Sequence, residues 1–379
     1  MDNVFLSGGL AFLITFFSIP AIIEVTQIKK LFDQPNPRKV HKALVPTLGG
    51  IGIFAGFVLA TLIGTPPATA NVLQYFMAAS LVIFFLGVKD DIIILSASKK
   101  FIGQLLAASI IIKFGGIQIT NMYGFLGIHE LPYTASILLT LFTIIVVTNS
   151  FNLIDGVDGL AGSLGILTCL IFGFYFHQTG HGLFAVMAFS MVGSLAAFLI
   201  YNIHPARIFM GDTGSLLIGL VNSILVIKFI NTAGDPTSVF PIASAPAIGF
   251  AILIVPLFDT LRVVTIRIIK RRSPFSPDRN HIHHFLLDLG FTHTMIAGIC
   301  LAGNVAFIAL AYYLRFMGTT AVMLALSAAA ILVVSLVYYS RPSAKILAAE
   351  SMDKSHPALS PHKVITLTSK RQEKETSAV

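Results

Sequence analysis

The sequence predicts an all-α polytopic membrane protein with about 11 transmembrane helices. Hydrophobic residues make up 55% of the chain, charged residues make up only 11%, and the mean hydropathy is +0.86. This composition is too apolar for a water-soluble globule. Many windows of about 17–22 residues carry no charge, and a helix of that length crosses roughly 30 Å of hydrocarbon. Because lipid-exposed backbone must satisfy its own hydrogen bonds, these windows are predicted to be helices.

The first apolar window begins at Val4, with no positively charged flank before it and no clear cleavage site. It is therefore predicted to be a retained span and not a signal peptide. The apolar windows in order predict spans at about 4–25, 45–64, 72–88, 101–113, 133–149, 159–177, 183–201, 213–230, 243–264, 295–314 and 319–339. Cys169 and Cys300 both fall inside these spans, so neither indicates a metal site or a redox compartment.

The positive charges predict the orientation. Of the 25 lysines and arginines, all but Lys113, Lys228 and Arg315 lie on one side if the N-terminus is outside. Because short cytoplasmic loops accumulate Lys and Arg, the C-terminus is predicted to be cytoplasmic. The net charge of +8 therefore reflects topology, and no nucleic-acid partner is indicated.

One predicted outer segment is longer than the others. Residues 114–132 alternate in polarity around a glycine-rich turn, which predicts a small outer hairpin. After Tyr339 the composition becomes polar, so that residues 340–379 are predicted to be a disordered cytoplasmic tail and residues 1–339 a single transmembrane domain.

Four predicted inner segments carry side chains that could do chemistry: "KDD", followed by a lysine, "NSFNLIDGVDGLAG", "NIHPARIFMGDTGSLLIG" and "RRSPFSPDRNHIHHFL". The candidate residues in them are Asp90, Asp91, Lys100, Asn149, Asn152, Asp155, Asp158, Asp212, Ser215, Arg279, His281, His283 and His284. Clustered carboxylates without thiolates suit a hard cation such as Mg²⁺. Mg²⁺ beside Lys, Arg and His is typical of phosphoryl transfer, in which positioning and charge neutralisation do most of the work.

Each of these features also has a structural interpretation. Taken alone, "KDD" is more often a solvated helix end. Asp155 or Asp212 could equally be a helix N-cap, although Asp155 and Asp158 would share a face on a helix start. The clustered histidines could hold Zn²⁺, but no cysteine joins them.

Two further features lie near the inner end of the ninth predicted span. The basic residues at 267–272 are typical of an anchor at lipid headgroups, and they could also attract an anionic substrate. Asp259 lies where a carboxylate needs a partner, for which Arg262 or Arg267 is suitable.

The motifs "GVKDD", "NLIDGVDGLAG", "RIFMGDTGS" and "DRNHIHH", in this order between apolar spans, resemble those of the polyprenyl-phosphate N-acetylhexosamine-1-phosphate transferases. The resemblance runs from the first inner loop, "DQPNPRKVHKALVPTLGG", to about residue 290. It implies a transmembrane catalytic domain in a bacterial cytoplasmic membrane. The implied reaction, dependent on Mg²⁺ or alternatively Mn²⁺, transfers a sugar-1-phosphate from a UDP-sugar to undecaprenyl phosphate at the cytoplasmic face. It releases UMP and starts a lipid-linked cell-envelope glycan such as an O-antigen or teichoic acid linkage.

The resemblance also implies roles for individual residues. Asp212 resembles the principal Mg²⁺ ligand, Asp90 the residue that deprotonates or orients the lipid phosphate, with Asp91 beside it, and Lys100 the phosphate-facing lysine. The nucleotide-diphosphate and metal-organising group would be Asn152, Asp155 and Asp158. The residues that would bind the UDP-sugar are Arg279, His281, His283 and His284, together with Arg38 and His41 of the first inner loop.

The donor and the assembly are less closely specified. "HIHH" after "DRN" is similar to the GlcNAc-1-phosphate branch, whereas the peptidoglycan branch usually has three adjacent histidines. UDP-GlcNAc is therefore favoured over UDP-GalNAc, a UDP-deoxy-amino sugar or UDP-MurNAc-pentapeptide, and a homodimer is left open. The rival classes are a membrane transporter and, more weakly, a scaffold protein.

Overall fold

The structure is a computed structural model that describes residues 2–29, 45–271, 273 and 280–341. Within these ranges the chain forms thirteen α-helices and one two-stranded sheet. The helices are α1 (Asp2–Lys29), α2 (Gly49–Gly64), α3 (Ala70–Ile92), α4 (Ala97–Lys113), α5 (Tyr133–Ile154), α6 (Leu160–Gln178), α7 (Gly182–Asn202), α8 (Gly211–Gly234), α9 (Ala245–Ile252), α10 (Ile254–Ile269), α11 (Ile282–Asp288), α12 (His293–Leu314) and α13 (Thr319–Tyr339). The strands are β1 (Asn121–Phe125) and β2 (Ile128–Glu130).

Every predicted span overlaps one of these helices or the α9–α10 pair. Eight helices of the described part are long and apolar enough to cross a membrane, or nine if α9 and α10 form one bent span. Helix α2 has only 16 residues and α4 has 17. The prediction of an all-α, multi-pass membrane protein is confirmed. The count of eleven spans and the orientation stay predictions.

Helix α8 lies at the centre of the bundle. Its most apolar window is 94% buried, compared with 22% for α1 and α12 and 17% for α13. The outer helices need no protein partner for their exposed faces, because lipid tails are as apolar as their side chains. Asp212, in the first turn of α8, is therefore carried by the most enclosed of these helices.

Two glycines allow α2 and α3 to approach the start of α8 closely. A Cβ added at Gly50 would lie 2.2 Å from the Gly214 nitrogen, and one added at Gly87 would lie 2.4 Å from the Thr213 Cα atom. These distances are too short for any side chain, so only glycine permits this packing. As a result, the end of α3 that carries "KDD" lies directly against the first turn of α8.

The predicted hairpin at 114–132 is present. Strands β1 and β2 pair antiparallel between the C-terminus of α4 and the N-terminus of α5. The Tyr123 hydroxyl donates to the Asn231 carbonyl oxygen near the end of α8 (3.1 Å), and the Thr319 hydroxyl at the start of α13 donates to the Tyr123 carbonyl oxygen (2.6 Å). The hairpin thus lies at the end of the bundle opposite Asp212, and its exposure on the outer side stays a prediction.

The described residues up to Ser340 group into one compact unit by their contacts. The tail predicted at 340–379 lies outside the described residues except for Ser340 and Arg341. The division into a transmembrane domain and a tail therefore stays a prediction.

Helices α9 and α10 meet at a bend of 87°, where a helical hydrogen-bond ladder is interrupted. Asn304 of α12 fills the break. Its side-chain amide donates to the Ile252 carbonyl oxygen (3.0 Å), and its side-chain oxygen accepts from the Val255 N–H (3.2 Å). Inside a membrane protein such freed backbone groups need a partner, and Asn304 supplies both.

Replacing Asn304 by alanine is expected to destabilise the protein by roughly 1–3 kcal/mol, because the Ile252 carbonyl and the Val255 N–H lose their side-chain partner. The measurement is unfolding in mixed detergent micelles. Val305→Ala is the matched control, since Val305 is the next residue on α12 and its side chain is exposed. Equal losses for the two variants would contradict this role of Asn304.

Candidate active site

Lys100 bridges two carboxylates from different helices. Its Nζ lies 2.5 Å from Asp90 Oδ2 at the end of α3 and 2.6 Å from Asp212 Oδ2 at the start of α8. The other Asp90 oxygen accepts from the Leu95 N–H (2.6 Å). The Asp212 and Lys100 side chains are about a quarter exposed, at 24% and 27%. Two acidic side chains and one cation from α3, α4 and α8 therefore form one partly exposed cluster.

Asp91 uses both of its oxygens to hold the start of α8. Oδ1 accepts from the Asp212 N–H (2.7 Å), and Oδ2 accepts from the Thr213 N–H (3.1 Å) and the Thr213 hydroxyl (2.5 Å). The first N–H groups of a helix lack partners within it, and an anion there also interacts favourably with the helix dipole. Asp91 therefore caps α8 from α3, and this geometry favours a supporting role over direct chemistry.

The alternative that Asp212 or Asp155 is an N-cap is wrong for both residues. Asp212 lies inside the first turn of α8, and Asp155 follows the last residue of α5. Gly211 precedes Asp212 with a positive φ of 71°, and a Cβ there would lie 2.6 Å from Asp91 Oδ1. Glycine at 211 is thus required for the backbone to reach the Asp91 carboxylate.

Two asparagines near the end of α5 connect the neighbouring helices. The Asn152 side-chain amide donates to the Ser215 hydroxyl of α8 (3.0 Å). Asn149 and Gln104 of α4 exchange two amide hydrogen bonds (2.7 and 3.2 Å). Asn149 therefore aligns α4 with α5.

Asp155 and Asp158 lie in the turn between α5 and α6 and not on a helix, contrary to the expectation of a shared helical face. Gly159 ends this turn with a φ of 78°, and its N–H donates to Asn202 Oδ1 (2.8 Å). Burial, followed by the charges of Asp212, Asp91 and Asp158, raises the pKa of Asp155 well above its ordinary value. The turn therefore collects negative charge that a cation would relieve.

The "HIHH" segment is anchored by Asp259 of α10. Asp259 Oδ1 accepts from Arg262 (2.9 Å) and from the Ile282 N–H (3.0 Å), and Oδ2 lies 2.8 Å from His281 Nδ1. Arg262 also donates to the Asn280 carbonyl oxygen. Of the two partners predicted for Asp259, the structure shows this contact with Arg262. Asp259 thus fixes both the first histidine and the start of α11.

His283 packs on the acidic turn. A Cβ added at Gly156 would lie 2.6 Å from His283 Nε2, so the ring contacts the turn between Asp155 and Asp158. Burial, followed by the neighbouring His284 and His281, lowers the pKa of His283 to about 3. Its Nδ1 has no hydrogen-bond partner within the described residues. His283 therefore offers a substrate a hydrogen bond and not a positive charge.

The histidines of "HIHH" do not converge as a metal site in the described part of the chain. The rings of His281 and His283 are nearly parallel, with centroids 5.7 Å apart. The side chains that do converge are those of Asp158, His204 and His293. His204 Nδ1 lies 2.7 Å and His293 Nδ1 lies 3.2 Å from Asp158 Oδ2. The alternative of Zn²⁺ at His281, His283 and His284 is therefore not supported by their positions.

The structure thus brings nine of the predicted site residues to one end of the bundle: Asp90, Asp91, Lys100, Asn152, Asp155, Asp158, Asp212, His281 and His283. His284 lies beside His283, with ring centroids 4.3 Å apart. Arg38, His41 and Arg279 lie outside the described residues.

Four residues of this region were not among the sequence candidates: Thr213, Asn202, His204 and His293. His204 and Asn202 stand in the quoted segment "NIHPAR", but a lone histidine or asparagine there has no distinguishing signal. His293 begins α12 beyond the motifs, and only the fold brings it to Asp158.

Comparison with known proteins identifies the family to which this chain belongs. Residues 73–230 match glycosyl transferase family 4. The chain is 34% identical over 317 residues to the decaprenyl-phosphate N-acetylglucosaminephosphotransferase of Mycobacterium leprae, covering 77% of this chain and 78% of that protein. The chain belongs to glycosyl transferase family 4.

Two other relatives in the family have similar names. The probable undecaprenyl-phosphate N-acetylglucosaminyl 1-phosphate transferase of Bacillus subtilis is 36% identical over 285 residues, 75% of this chain and 77% of that protein. The undecaprenyl-phosphate alpha-N-acetylglucosaminyl 1-phosphate transferase of Escherichia coli K12 is 30% identical over 276 residues, 69% and 70% of the two chains. The predicted resemblance and the predicted enzyme class, a phosphoglycosyl transferase, are confirmed.

In this family 4 chain, Asp259→Asn is expected to cost about 1.5–3 kcal/mol of stability, because a charged acceptor of Arg262 and His281 becomes a neutral amide. The measurement is unfolding in mixed micelles. Glu130→Gln is the control, because it changes an exposed carboxylate on strand β2. If the two variants unfolded together, the anchoring role of Asp259 would be wrong.

Proposed function

We propose that this protein transfers N-acetylglucosamine-1-phosphate from UDP-GlcNAc to undecaprenyl phosphate at the cytoplasmic face of a bacterial inner membrane. The products are UMP and a lipid-linked pyrophosphoryl sugar that starts a cell-envelope glycan. The observation that carries the proposal is the Asp90–Lys100–Asp212 cluster at one end of a family 4 bundle. The choice of GlcNAc is supported by the relatives' names and by the "HIHH" segment.

The residues of the cluster fit a hard divalent cation. Asp90, Asp155 and Asp212 offer oxygen atoms, which Mg²⁺ prefers, and no thiol lies among them. Burial, followed by the charges of neighbouring carboxylates, raises the pKa of Asp155, and a cation beside it would favour its ionised form. Asp212 would hold Mg²⁺, or alternatively Mn²⁺, and substrate phosphates and waters would supply further oxygen ligands. The ion would neutralise phosphate charge as the transfer proceeds.

The proposed chemistry is a single displacement. An oxygen of the lipid phosphate forms a bond to the β-phosphorus of UDP-GlcNAc, the bond from that phosphorus to the bridging oxygen breaks, and UMP leaves with this oxygen. Lys100 would neutralise negative charge on the phosphates, and Asp90 would orient the attacking phosphate. Asp91 is not the nucleophile in this scheme, since both of its oxygens accept hydrogen bonds from α8.

The donor would lie along the turn that holds Asp155 and Asp158. Asn152 on the α5 side and the neutral His283 above Gly156 offer hydrogen bonds to it. Arg38, His41, His281, His284 and Arg279 are retained as donor-binding candidates. A covalent route through an aspartyl phosphate is the alternative mechanism. It predicts that a phospho-enzyme can be trapped from UDP-GlcNAc without lipid.

The test uses purified full-length protein in detergent with Mg²⁺, undecaprenyl phosphate and UDP-GlcNAc labelled in the sugar. UMP and a labelled lipid are expected to form together. UDP-GalNAc, a UDP-deoxy-amino sugar and UDP-MurNAc-pentapeptide are run in parallel to rank donors. Asp212→Asn serves as the inactive control, with unchanged elution on size exclusion showing that it is folded.

A membrane transporter is the rival from a different class. If the folded protein turned over none of the UDP-amino sugars, the enzyme proposal would be contradicted. Turnover of another UDP-amino sugar alone would keep the reaction and change the donor.

A further inference from the structure

We propose that Asp158, His204 and His293 form a second metal site, which takes a divalent cation of intermediate softness such as Zn²⁺. Its ligand set differs from the oxygen-rich cluster around Asp212. The proposal concerns binding alone and does not depend on the proposed reaction.

Three separate elements supply the ligands. Asp158 lies in the α5–α6 turn, His204 follows the end of α7, and His293 is the first residue of α12. The two Nδ1 atoms lie 2.7 and 3.2 Å from Asp158 Oδ2, and the two rings are 4.7 Å apart. Among the described residues this is the one group of three His, Cys, Asp or Glu side chains whose ligand atoms all lie within 4.8 Å of one another.

The contacts of His293 place one of its ring nitrogens against Asp158. His293 Nδ1 lies 3.3 Å from the Asp158 nitrogen and 3.2 Å from Asp158 Oδ2. Imidazole nitrogen and carboxylate oxygen are both ligands of Zn²⁺, so an ion at this point would be bound by both side chains.

The donor set matches zinc better than magnesium. Two imidazole nitrogens and one carboxylate oxygen, with a fourth position open, are typical of zinc sites, whereas Mg²⁺ prefers oxygen ligands. Ligand atoms about 2.0–2.1 Å from a tetrahedral ion lie about 3.3–3.4 Å apart. The His204–Asp158 contact, at 2.7 Å, would therefore need to open by about 0.6 Å, whereas the His293–Asp158 contact, at 3.2 Å, is already close to this spacing.

Burial of the three ligands suits a site that an ion can enter. The Asp158 and His293 side chains are 2% and 7% exposed, so their positions are fixed by packing. The His204 side chain is 45% exposed and provides the route from solvent.

Metal binding is tested on the full-length protein after chelation and removal of the chelator. Zn²⁺ binding is measured by titration calorimetry, and Co²⁺ is used as a visible probe of coordination. The wild type is expected to bind one Zn²⁺ ion more tightly than any further Zn²⁺ ion. With Co²⁺ as the probe, it should show the absorption of tetrahedral Co²⁺. His204→Asn and His293→Asn should each weaken this binding about tenfold or more and abolish the Co²⁺ signal.

His129→Asn is the matched control, because His129 is an exposed histidine of the hairpin at the opposite end. It should bind Zn²⁺ as the wild type does. His204→Asn decides the outcome if His293→Asn fails to fold, since His204 is half-exposed. The proposal would be overturned if His204→Asn bound Zn²⁺ as tightly as the wild type does. It would also be overturned if the wild type bound no Zn²⁺.

Discussion

Replacing Lys100 by methionine is expected to lower kcat by about 10²–10³-fold, the loss typical of removing one charge-stabilising group from an active site. The reason is that Lys100 is the cation that contacts both Asp90 and Asp212. Without it, the two carboxylates would repel incoming phosphates. The measurement is UMP release at saturating UDP-GlcNAc and undecaprenyl phosphate.

Lys99→Met is the matched control, because Lys99 is the preceding residue of the same helix turn and is exposed. It should keep wild-type kcat within about twofold, as expected of a surface substitution. Lys100→Arg should remain impaired, because the planar guanidinium cannot reproduce the contacts of a compact ammonium group. Equal activity of Lys99→Met and Lys100→Met would exclude the proposed role of Lys100.

Asp91→Ala is expected to lose about 3–5 kcal/mol of stability, because the Asp212 N–H, the Thr213 N–H and the Thr213 hydroxyl lose a charged acceptor. Turnover should also be lost, since Asp212 is carried by the turn that Asp91 holds. The stability loss is measured by unfolding in mixed micelles, and turnover by UMP release.

The Asp90→Ala variant distinguishes the structural role of Asp91 from the direct role of its neighbour Asp90 in the reaction. Asp90 accepts one backbone N–H and shares Lys100 with Asp212, so its removal should abolish turnover with a smaller loss of stability. Thr213→Val removes only the shortest of the Asp91 contacts and should cost about 1 kcal/mol. A stability loss in Asp91→Ala no larger than that in Asp90→Ala would contradict the capping role.

The roles within "KDD" illustrate how far the sequence could be interpreted. Asp90 and Asp91 lie side by side at the end of a span, so the local sequence does not distinguish their roles. The family resemblance placed both in the same part of the active site. In the structure they face different partners: Asp90 contacts Lys100, whereas Asp91 contacts the backbone of α8. Which of two neighbouring side chains meets a helix start depends on how α3 packs against α8, and that packing is absent from local sequence.

The acidic turn shows a second limit. Spacing of three residues predicted that Asp155 and Asp158 would share a helix face, but glycine at 159 adopts a positive φ and the segment is a turn. The same limit applies to His293 and to Asn304. Each partner lies far along the chain, so a single residue in an apolar or loop segment carried no signal.

Hydropathy was sufficient to determine the helical, membrane-spanning class, because uncharged windows of span length have few other stable structures in a bilayer. The ordered polar motifs were sufficient to indicate the family, since each lies next to an apolar span and together they form a rare combination. The pairing of Lys100 with Asp90 and Asp212, the capping by Asp91 and the Asp158–His204–His293 group depended on tertiary structure. These contacts join residues up to 135 positions apart, and their geometry is set by helix packing.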